Sequence, residues 1–230
     1  MTNTPIDADG IYLSQYPIPL TPNEVEALLD KLDGGDDHAA RKIIICLIEH
    51  RINHRYVRPL LHIPREYKSG FLMMATACLL IETLQTFYDG KNESTDADPT
   101  KPNEQIGSEE AFVRFFENNP EHFPDLRSYF KLTTGVDGRG RPKRKCTFYK
   151  NIRCGILHQA ETTSGCRILR KGPLFSANEN TTSINANLFV KGVNDSLVKY
   201  IRLLTEQNCT SNIWKMAKKK LRYICRNCRK

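Results

Sequence analysis

Arg153 and His158 are the two residues of this chain best suited to chemistry on a phosphodiester. An imidazole titrates near neutral pH, so it can accept a proton from a ribose 2′-hydroxyl or donate one to a leaving oxygen. A guanidinium keeps its charge and offers a fork of donors to phosphate oxygens, where negative charge builds in the transition state. The pair therefore favours cleavage of a ribose phosphodiester.

The segment that carries the pair, residues 148–160, has the pattern of an amphipathic helix. At about 100° per residue, Phe148, Ile152 and Ile156 form one apolar stripe. The opposite half carries the polar residues Lys150, Asn151, Arg153, Cys154 and His158. We expect one half to dock on a core, while the other presents cations and a titratable base.

The spacing of the pair also bears on quaternary structure. Five α-helical steps place Arg153 and His158 roughly 140° apart around the axis, so one helix would strain to aim both at one phosphorus. Two copies of the helix packed about a two-fold axis would pool both pairs in one cleft. The spacing therefore favours a homodimer.

The sequence Phe-Tyr-Lys-Asn-Ile-Arg-Cys-Gly-Ile-Leu-His-Gln-Ala, late in a chain with helical patterns, resembles the HEPN superfamily. The signature of that family is Arg, four to six residues, then His. Many members are metal-independent endoribonucleases of toxin–antitoxin, CRISPR and anti-phage defence systems. The resemblance implies a HEPN-like helical bundle, a homodimer and RNA cleavage that requires no cofactor.

The same resemblance assigns roles to individual residues. Arg153 and His158 become the catalytic residues, which cut RNA by 2′-OH attack and leave a cyclic phosphate. His158 would act as general acid or base, Arg153 would stabilise the phosphorane, and Lys150 and Asn151 would orient the phosphate. The family often has Asn, Asp or His directly after the Arg and Tyr two residues after the His, where this chain has Cys154 and Ala160.

Three alternatives remain open. Arg153 could make a structural ion pair, with His158 a satisfied interface histidine. The chain could be a catalytically inactive HEPN-like module that binds nucleic acid or a partner such as an antitoxin; Cys154 is the best support for this. It could also be an interaction subunit of a larger complex, using its acidic start and the apolar stripe.

Glu82 is an acid on the most apolar helical pattern of the chain, residues 68–88. Buried carboxylates are rare unless they are paired, so Glu82 either faces an arginine or lies on a solvated strip. Because a polar residue of an earlier helix can support the site in HEPN proteins, the resemblance makes Glu82 and Arg153 a candidate pair.

Charge is distributed unevenly along the 230 residues, whose net charge is +8. Residues 1–38 hold eight acids and one lysine, whereas 139–153 hold seven bases and 215–230 hold eight, neither with an acid. This polarity predicts a polyanionic partner, RNA, met by the second half of the chain; a solvated cationic face is the alternative. Within the predicted basic loop 135–146, Arg144 and Lys145 are candidate contacts to the RNA backbone. The loop lacks P-loop spacing, which disfavours a nucleoside-triphosphate site.

The eight cysteines are scattered, and the chain opens with polar, acidic residues rather than a signal peptide. We therefore expect reduced thiols and a cytoplasmic protein. Cys225 and Cys228 form a lone CxxC with no second ligand pair, so no metal site is predicted. The longest apolar run, residues 71–81, falls short of a membrane span, so we expect no membrane association.

Helical patterns recur along the rest of the chain. They begin near Thr21, Asp37, Lys68, Glu109, Leu188 and Ile213, and a short one covers residues 126–132. Residues 1–20 are predicted to be an irregular arm and 89–107 a surface-loop insertion. Two short segments, Cys166–Leu169 and Ser183–Ala186, suggest a small β-hairpin after the motif helix. The sequence thus predicts a single all-α domain over residues 1–230, a HEPN-like helical bundle with that hairpin.

Overall fold

The computed structural model describes residues 12–14, 18–64, 66–94, 108–136, 140 and 142–229. These residues are mainly helical and carry two small β-sheets, which confirms a mainly-α fold. The α-helices are α1 (Pro22–Gly34), α2 (His38–Ile52), α3 (Arg58–Leu61), α4 (Gly70–Asp89), α5 (Ser108–Asn118), α6 (Leu126–Tyr129), α7 (Gly155–Gln159), α8 (Ala186–Glu206) and α9 (Asn212–Cys228). Two π-helical segments, Asn53–Val57 and Tyr149–Cys154, directly precede α3 and α7.

The starts of the helices follow the capping signals of the sequence. At α1, Thr21 accepts from the Glu24 N–H while the Glu24 carboxylate accepts from the Thr21 N–H, which is a capping box. At α2, the Asp37 carboxylate accepts from the Ala40 N–H at 2.9 Å. The predicted starts near Thr21, Asp37, Lys68, Glu109, Leu188 and Ile213 are all confirmed within two residues.

The basic loop predicted over residues 135–146 is largely a β-hairpin instead. Strands β1 (Leu132–Val136) and β2 (Pro142–Cys146) pair antiparallel, with Thr134 opposite Arg144. Residues 137–139 and 141 lie outside the described part of the chain. The hairpin escaped prediction because β2 begins with proline and carries three consecutive cations, so it lacks the alternation of apolar and polar residues that indicates a strand. Its outer residue Lys145 is exposed, while Cys146 is buried.

The strands after the motif are more numerous than predicted, and they pair differently. They are β3 (Cys166–Leu169), β4 (Phe175–Asn178) and β5 (Thr181–Asn185), in the order β3-β5-β4. The two segments predicted to form a hairpin do pair, but in parallel, as β3 with β5. The hairpin consists of β4 and β5. The prediction missed β4, which supplies the antiparallel neighbour of β5.

The chain groups into two compact units. Unit 1 comprises Met1–Arg55, Phe87–Asn92 and Lys199–Lys230, and unit 2 comprises Tyr56–Thr86 and Glu93–Val198. Each unit is assembled from separate stretches of chain, so no single cut divides them. This division was not predicted, because α4 and α8 each run through a unit boundary without interruption.

An aromatic cluster forms part of the core of unit 2. Phe148, the first residue of the apolar stripe, stacks on Phe189 with a centroid distance of 5.2 Å and meets Phe116 and Phe130 edge-on. Phe148, Ile152 and Ile156 are all buried, which confirms the predicted docking face of the motif segment. This cluster fixes the start of the segment that carries Arg153.

In unit 1, much of the polarised charge is paired within the chain. On α9, Lys218 contacts Asp33 of α1 at 2.5 Å, and Arg222 contacts Asp30 at 2.9 Å and Asp33 at 2.7 Å. Acids of α1 and bases of α9 therefore bind each other, so part of the charge that the sequence assigned to a polyanionic partner is engaged within the chain.

Helix α4 is longer than the apolar run seen in the sequence. By length and composition it could cross a membrane, which corrects the expectation that every apolar run falls short. Many of its apolar side chains, such as Met74 and Ile81, are nevertheless buried in the protein, and it carries Glu82 in an ion pair. These are the features of a core helix.

Parts of two other predicted segments lie outside the described residues. In the N-terminal arm, 1–11 and 15–17 are outside, while Leu13 and Leu20 are buried and hydrogen-bonded to each other. In the predicted insertion, 95–107 are outside, and Asp89 belongs to α4.

Candidate functional site

The predicted motif helix is two helical segments joined end to end. Residues Tyr149–Cys154 are π-helical, with i→i+5 hydrogen bonds, and α7 continues from Gly155. Arg153 thus lies at the end of the π-helical segment and His158 in the last turn of α7. π-Helical segments are rare and occur often at functional sites.

Arg153 is held by Glu82 of α4. The Arg153 Nε donates to Glu82 Oε1 at 2.9 Å, and the two side chains are only 19% and 20% exposed. Of the two outcomes considered for Glu82, the ion pair is therefore the observed one, and the solvated strip is not. The pair ties the π-helical segment to the core helix of unit 2.

Only part of the Arg153 guanidinium is occupied by this contact. Within the described residues, Nε is its sole hydrogen-bonding nitrogen, and both terminal nitrogens lack a partner. The guanidinium also lies over the Tyr149 ring, 5.3 Å from its centroid. Burial lowers the pKa of Arg153, but the charge and hydrogen bond of Glu82, together with Tyr149 and Cys154, outweigh burial and leave the pKa raised. Arg153 is therefore a positioned, permanently charged cation whose two terminal nitrogens can still donate hydrogen bonds.

A hydroxyl network supports the second oxygen of Glu82. Ser94 Oγ donates to Glu82 Oε2 at 3.0 Å and lies 3.2 Å from Ser108 Oγ. The Tyr149 hydroxyl in turn interacts with Ser108 and Cys154. Burial raises the pKa of Tyr149, so the phenol stays protonated at neutral pH. Ser94, Ser108 and the role of Tyr149 were missed because they join segments far apart in sequence.

His158 occupies a different setting from Arg153. Its side chain is exposed, and within the described part of the chain it has no hydrogen bond or ion pair. The neighbouring Leu157 is also exposed, at 52%, and Lys150 is exposed one helical turn before Arg153. In one copy of the chain, the predicted acid–base residue thus faces solvent, while the predicted phosphate-binding arginine is anchored.

Gly155 lies between the two predicted catalytic residues and allows the following loop to approach closely. A Cβ at Gly155 would meet the Glu161 carbonyl oxygen at 2.5 Å. Helix α7 then ends at Ala160, which has a positive φ of 55°. A bulky residue at that position would be strained, which accounts physically for a small side chain two residues after His158.

The other predicted substrate contacts divide into engaged and exposed residues. The Asn151 Oδ1 accepts from Thr163 and Ser164, both at 3.3 Å, so Asn151 holds the loop after α7. Arg144 is bound by Glu110 and Glu117, as described below, and Lys145 is exposed. The predictions for Asn151 and Arg144 missed these carboxylate and hydroxyl partners.

Arg144 uses all three guanidinium nitrogens within unit 2. Its Nε and Nη2 donate to Glu110, and its Nη1 donates to Glu117 at 2.6 Å. Both acids lie on α5, and the Cys146 N–H also donates to Glu109 of α5 at 2.9 Å. Arg144 therefore fastens β2 to α5.

The His, Cys, Asp and Glu side chains of the described residues bear on metal binding and thiol chemistry. In that part of the chain, no group of three or more His, Cys, Asp or Glu side chains could hold a metal ion. All eight cysteines are free. Cys154 is half-buried beside Tyr149, whereas burial raises the pKa of Cys146 and of Cys225 to about 11.

Comparison with known proteins adds no assignment. No protein-family model matches the chain, and neither the curated proteins nor the solved structures contain a significant match. The HEPN resemblance thus stays a prediction that depends on the residues quoted for it.

Proposed function

We propose that the chain is a HEPN-like, metal-independent endoribonuclease that cuts RNA by 2′-OH attack. The observation that carries the proposal is the partial occupation of Arg153. Glu82 and Tyr149 fix the guanidinium through Nε and the ring face, which leaves the two terminal nitrogens for a phosphate. His158 lies five residues further along the same helical segment and is exposed to substrate.

The reaction needs two proton transfers, one from the attacking 2′-hydroxyl and one to the leaving 5′-oxygen. A neutral His158 takes the proton of the 2′-hydroxyl, and the oxygen attacks phosphorus. Arg153 neutralises the charge that builds on the non-bridging oxygens. A protonated imidazole donates to the departing 5′-oxygen, so the products are a 2′,3′-cyclic phosphate and a 5′-hydroxyl. Lys150, exposed on the same segment, orients the phosphate.

A homodimer supplies the second imidazole that this reaction uses. The exposed face of α4 carries Leu72, 57% exposed, and Leu79, 49% exposed; Leu157 of α7 is exposed to a similar degree. Leu79 is three residues from Glu82 and Leu157 is four from Arg153, so each shares a helical face with one member of the ion pair. A second copy packed on these leucines would cover apolar surface and bring two His158 side chains towards one cleft.

The dimer has its own test. We expect light scattering to give twice the chain mass, and the double variant Leu79→Lys/Leu157→Lys to give a monomer with lost cleavage. A matched variant at two exposed apolar residues elsewhere, Leu169→Lys/Leu188→Lys, should stay dimeric. A wild-type monomer at working concentrations would contradict this arrangement.

The proposed setting is RNA cleavage in defence or as a toxin, in the cytoplasm, with activity restrained by a regulatory or antitoxin protein. Metal ions and cofactors have no part in the proposed chemistry. The test is incubation of RNA with pure protein in EDTA, for the wild type, His158→Ala and Arg153→Ala. We expect cleavage by the wild type only; cutting that survives in His158→Ala would overturn the mechanism.

A second candidate is a catalytically silent module that binds RNA or a partner protein. One observation favours it, because the charge of Arg153 is already balanced by Glu82. Cys154 and Ala160, in place of the usual family residues, point the same way. Binding of RNA without any cleavage by the wild type would favour this candidate.

A further inference from the structure

Unit 1 contains a cavity of about 540 Å³ whose wall is mostly α9. Its volume lies within the range of about 300–1,000 Å³ found for ligand sites in proteins. The cations that line it are Lys215, Lys218, Lys219, Arg222 and Arg226. Asp33 is the single carboxylate in this lining.

Four of these cations form one stripe on the helix. Lys215, Lys219, Arg222 and Arg226 are spaced by four, three and four residues, so they share a face of α9. At about 1.5 Å of rise per residue, neighbouring charges follow one another every 4.5–6 Å along the axis. Like charges at this spacing repel one another, so the stripe gains from a bound anion.

Part of the positive charge is balanced by α1. Asp33 binds Lys218 and Arg222, and Asp30 also binds Arg222. Burial raises the pKa of Asp33, but the bonds and charges of Lys218 and Arg222 outweigh it, so the net shift is downward. These acids are thus bound to Lys218 and Arg222 within the α1–α9 contact.

Three cations of the lining are left without a carboxylate. Lys215, Lys219 and Arg226 have no ion-pair partner among the described residues. Lys215 and Arg226 are exposed and Lys219 is half-buried. The Arg226 guanidinium lies over the Tyr223 ring, 4.7 Å from its centroid, and both line the cavity. An aromatic ring and a guanidinium plane are surfaces on which a base can stack.

We infer that this cavity binds the sugar–phosphate backbone of single-stranded RNA, with Lys215, Lys219 and Arg226 on successive phosphates. The inference takes RNA as the partner from the proposed function and adds a second contact region for it. A concave site, a line of cations without a carboxylate partner and an adjacent stacking surface suit a single strand better than a rigid duplex.

The experiment measures binding without cleavage. A fluorescent oligonucleotide with 2′-O-methyl riboses has no attacking hydroxyl, so its anisotropy reports binding alone. Each phosphate contact to a single strand contributes about 0.7 to the slope of log K against log salt. We expect Lys215→Gln/Lys219→Gln to flatten that slope by about 1.4 between about 50 and 200 mM salt. Affinity at the low-salt end should fall at least about tenfold.

The matched control is Lys31→Gln/Lys42→Gln, which removes two exposed lysines of unit 1 outside the cavity. We expect the wild-type slope for this control, and unchanged thermal unfolding for both doubles. Equal slopes for the cavity double and the wild type would overturn the inference. If the cavity double flattens the slope as expected but the wild type never cuts RNA, the nuclease proposal fails and the cavity inference stands. If the cavity double binds as the wild type does and the wild type cuts RNA, the cavity inference fails and the nuclease proposal stands.

Discussion

Arg144 and Arg153 belong to the same basic stretch and carry the same side chain, yet the structure uses them differently. Arg144 of β2 donates from all three guanidinium nitrogens to Glu110 and Glu117. Arg153 of the π-helical segment donates only from Nε, to Glu82. A count of cations treats both as phosphate ligands. Their hydrogen bonds differ: Arg144 fastens β2 to α5, whereas Arg153 is positioned by Glu82 and keeps two nitrogens that can still donate.

The largest effect expected from this comparison is on cleavage. Arg153→Gln removes the cation that would meet the phosphorane, so we expect the rate to fall about 10²–10³-fold. Arg144→Gln, the matched change in the same stretch, should leave the rate within a few-fold of wild type. Single-turnover cleavage of labelled RNA measures both. Equal losses in the two variants would remove the distinction between the arginines.

Gly155→Ala tests how tightly the Arg153 region is packed. The added methyl group meets the Glu161 carbonyl at 2.5 Å, so the backbone must shift. We expect a loss of about 1–3 kcal/mol in the free energy of unfolding. The control is Gly34→Ala, where nothing lies within 4 Å, and there we expect a gain of up to about 1 kcal/mol. Urea unfolding measures both, and a neutral Gly155→Ala would contradict the packing.

Arg144→Gln also tests how much the ion pairs of Arg144 contribute to the free energy of unfolding. Two carboxylates lose their shared partner, but the Arg144 side chain is 35% exposed, so solvent screens much of the charge. We expect a loss of about 1 kcal/mol, larger in low salt than in high salt. Thermal unfolding at two salt concentrations checks it. An unfolding temperature equal to that of the wild type would mean that the clamp on α5 contributes nothing.

Asp33 gives the smallest effect and the clearest pH dependence. Its pKa in the folded chain lies below the ordinary value of 3.8, so its contribution is present above pH 3.8 and is lost as the pH falls through the folded pKa. Asp33→Asn should destabilise by less than about 1 kcal/mol at pH 7, because the carboxylate is 49% exposed. Below the folded pKa, the two proteins should unfold alike. A difference that persists there would assign the effect to something other than charge.

Local signals predicted the helices and the docking face of the motif well. Capping residues marked α1 and α2, and helical spacing marked the burial of Phe148, Ile152 and Ile156. The HEPN resemblance also offered Glu82 as a candidate partner of Arg153, whereas the apolar helix pattern alone left a solvated strip as the alternative.

What the sequence missed depends on contacts between distant segments. The pairing of β3 with β5 joins residues separated by a whole strand, which local periodicity does not report. The ion pairs of Arg144 with α5, and of α9 with α1, were likewise not predictable, because they depend on where the acidic helix lies in space. The sequence therefore overestimated how many cations are free to meet a partner, because several of them are paired with carboxylates of the same chain.

The central claim is that the 2′-hydroxyl attacks a phosphate held by Arg153, with His158 moving the proton. The most direct measurement is cleavage, in EDTA, of a 2′-deoxy strand that contains a single ribonucleotide. The account predicts one cut, directly 3′ of that ribonucleotide, with a 2′,3′-cyclic phosphate end for the wild type and none for His158→Ala. Cuts at deoxynucleotides, or the same cut in His158→Ala, would contradict it.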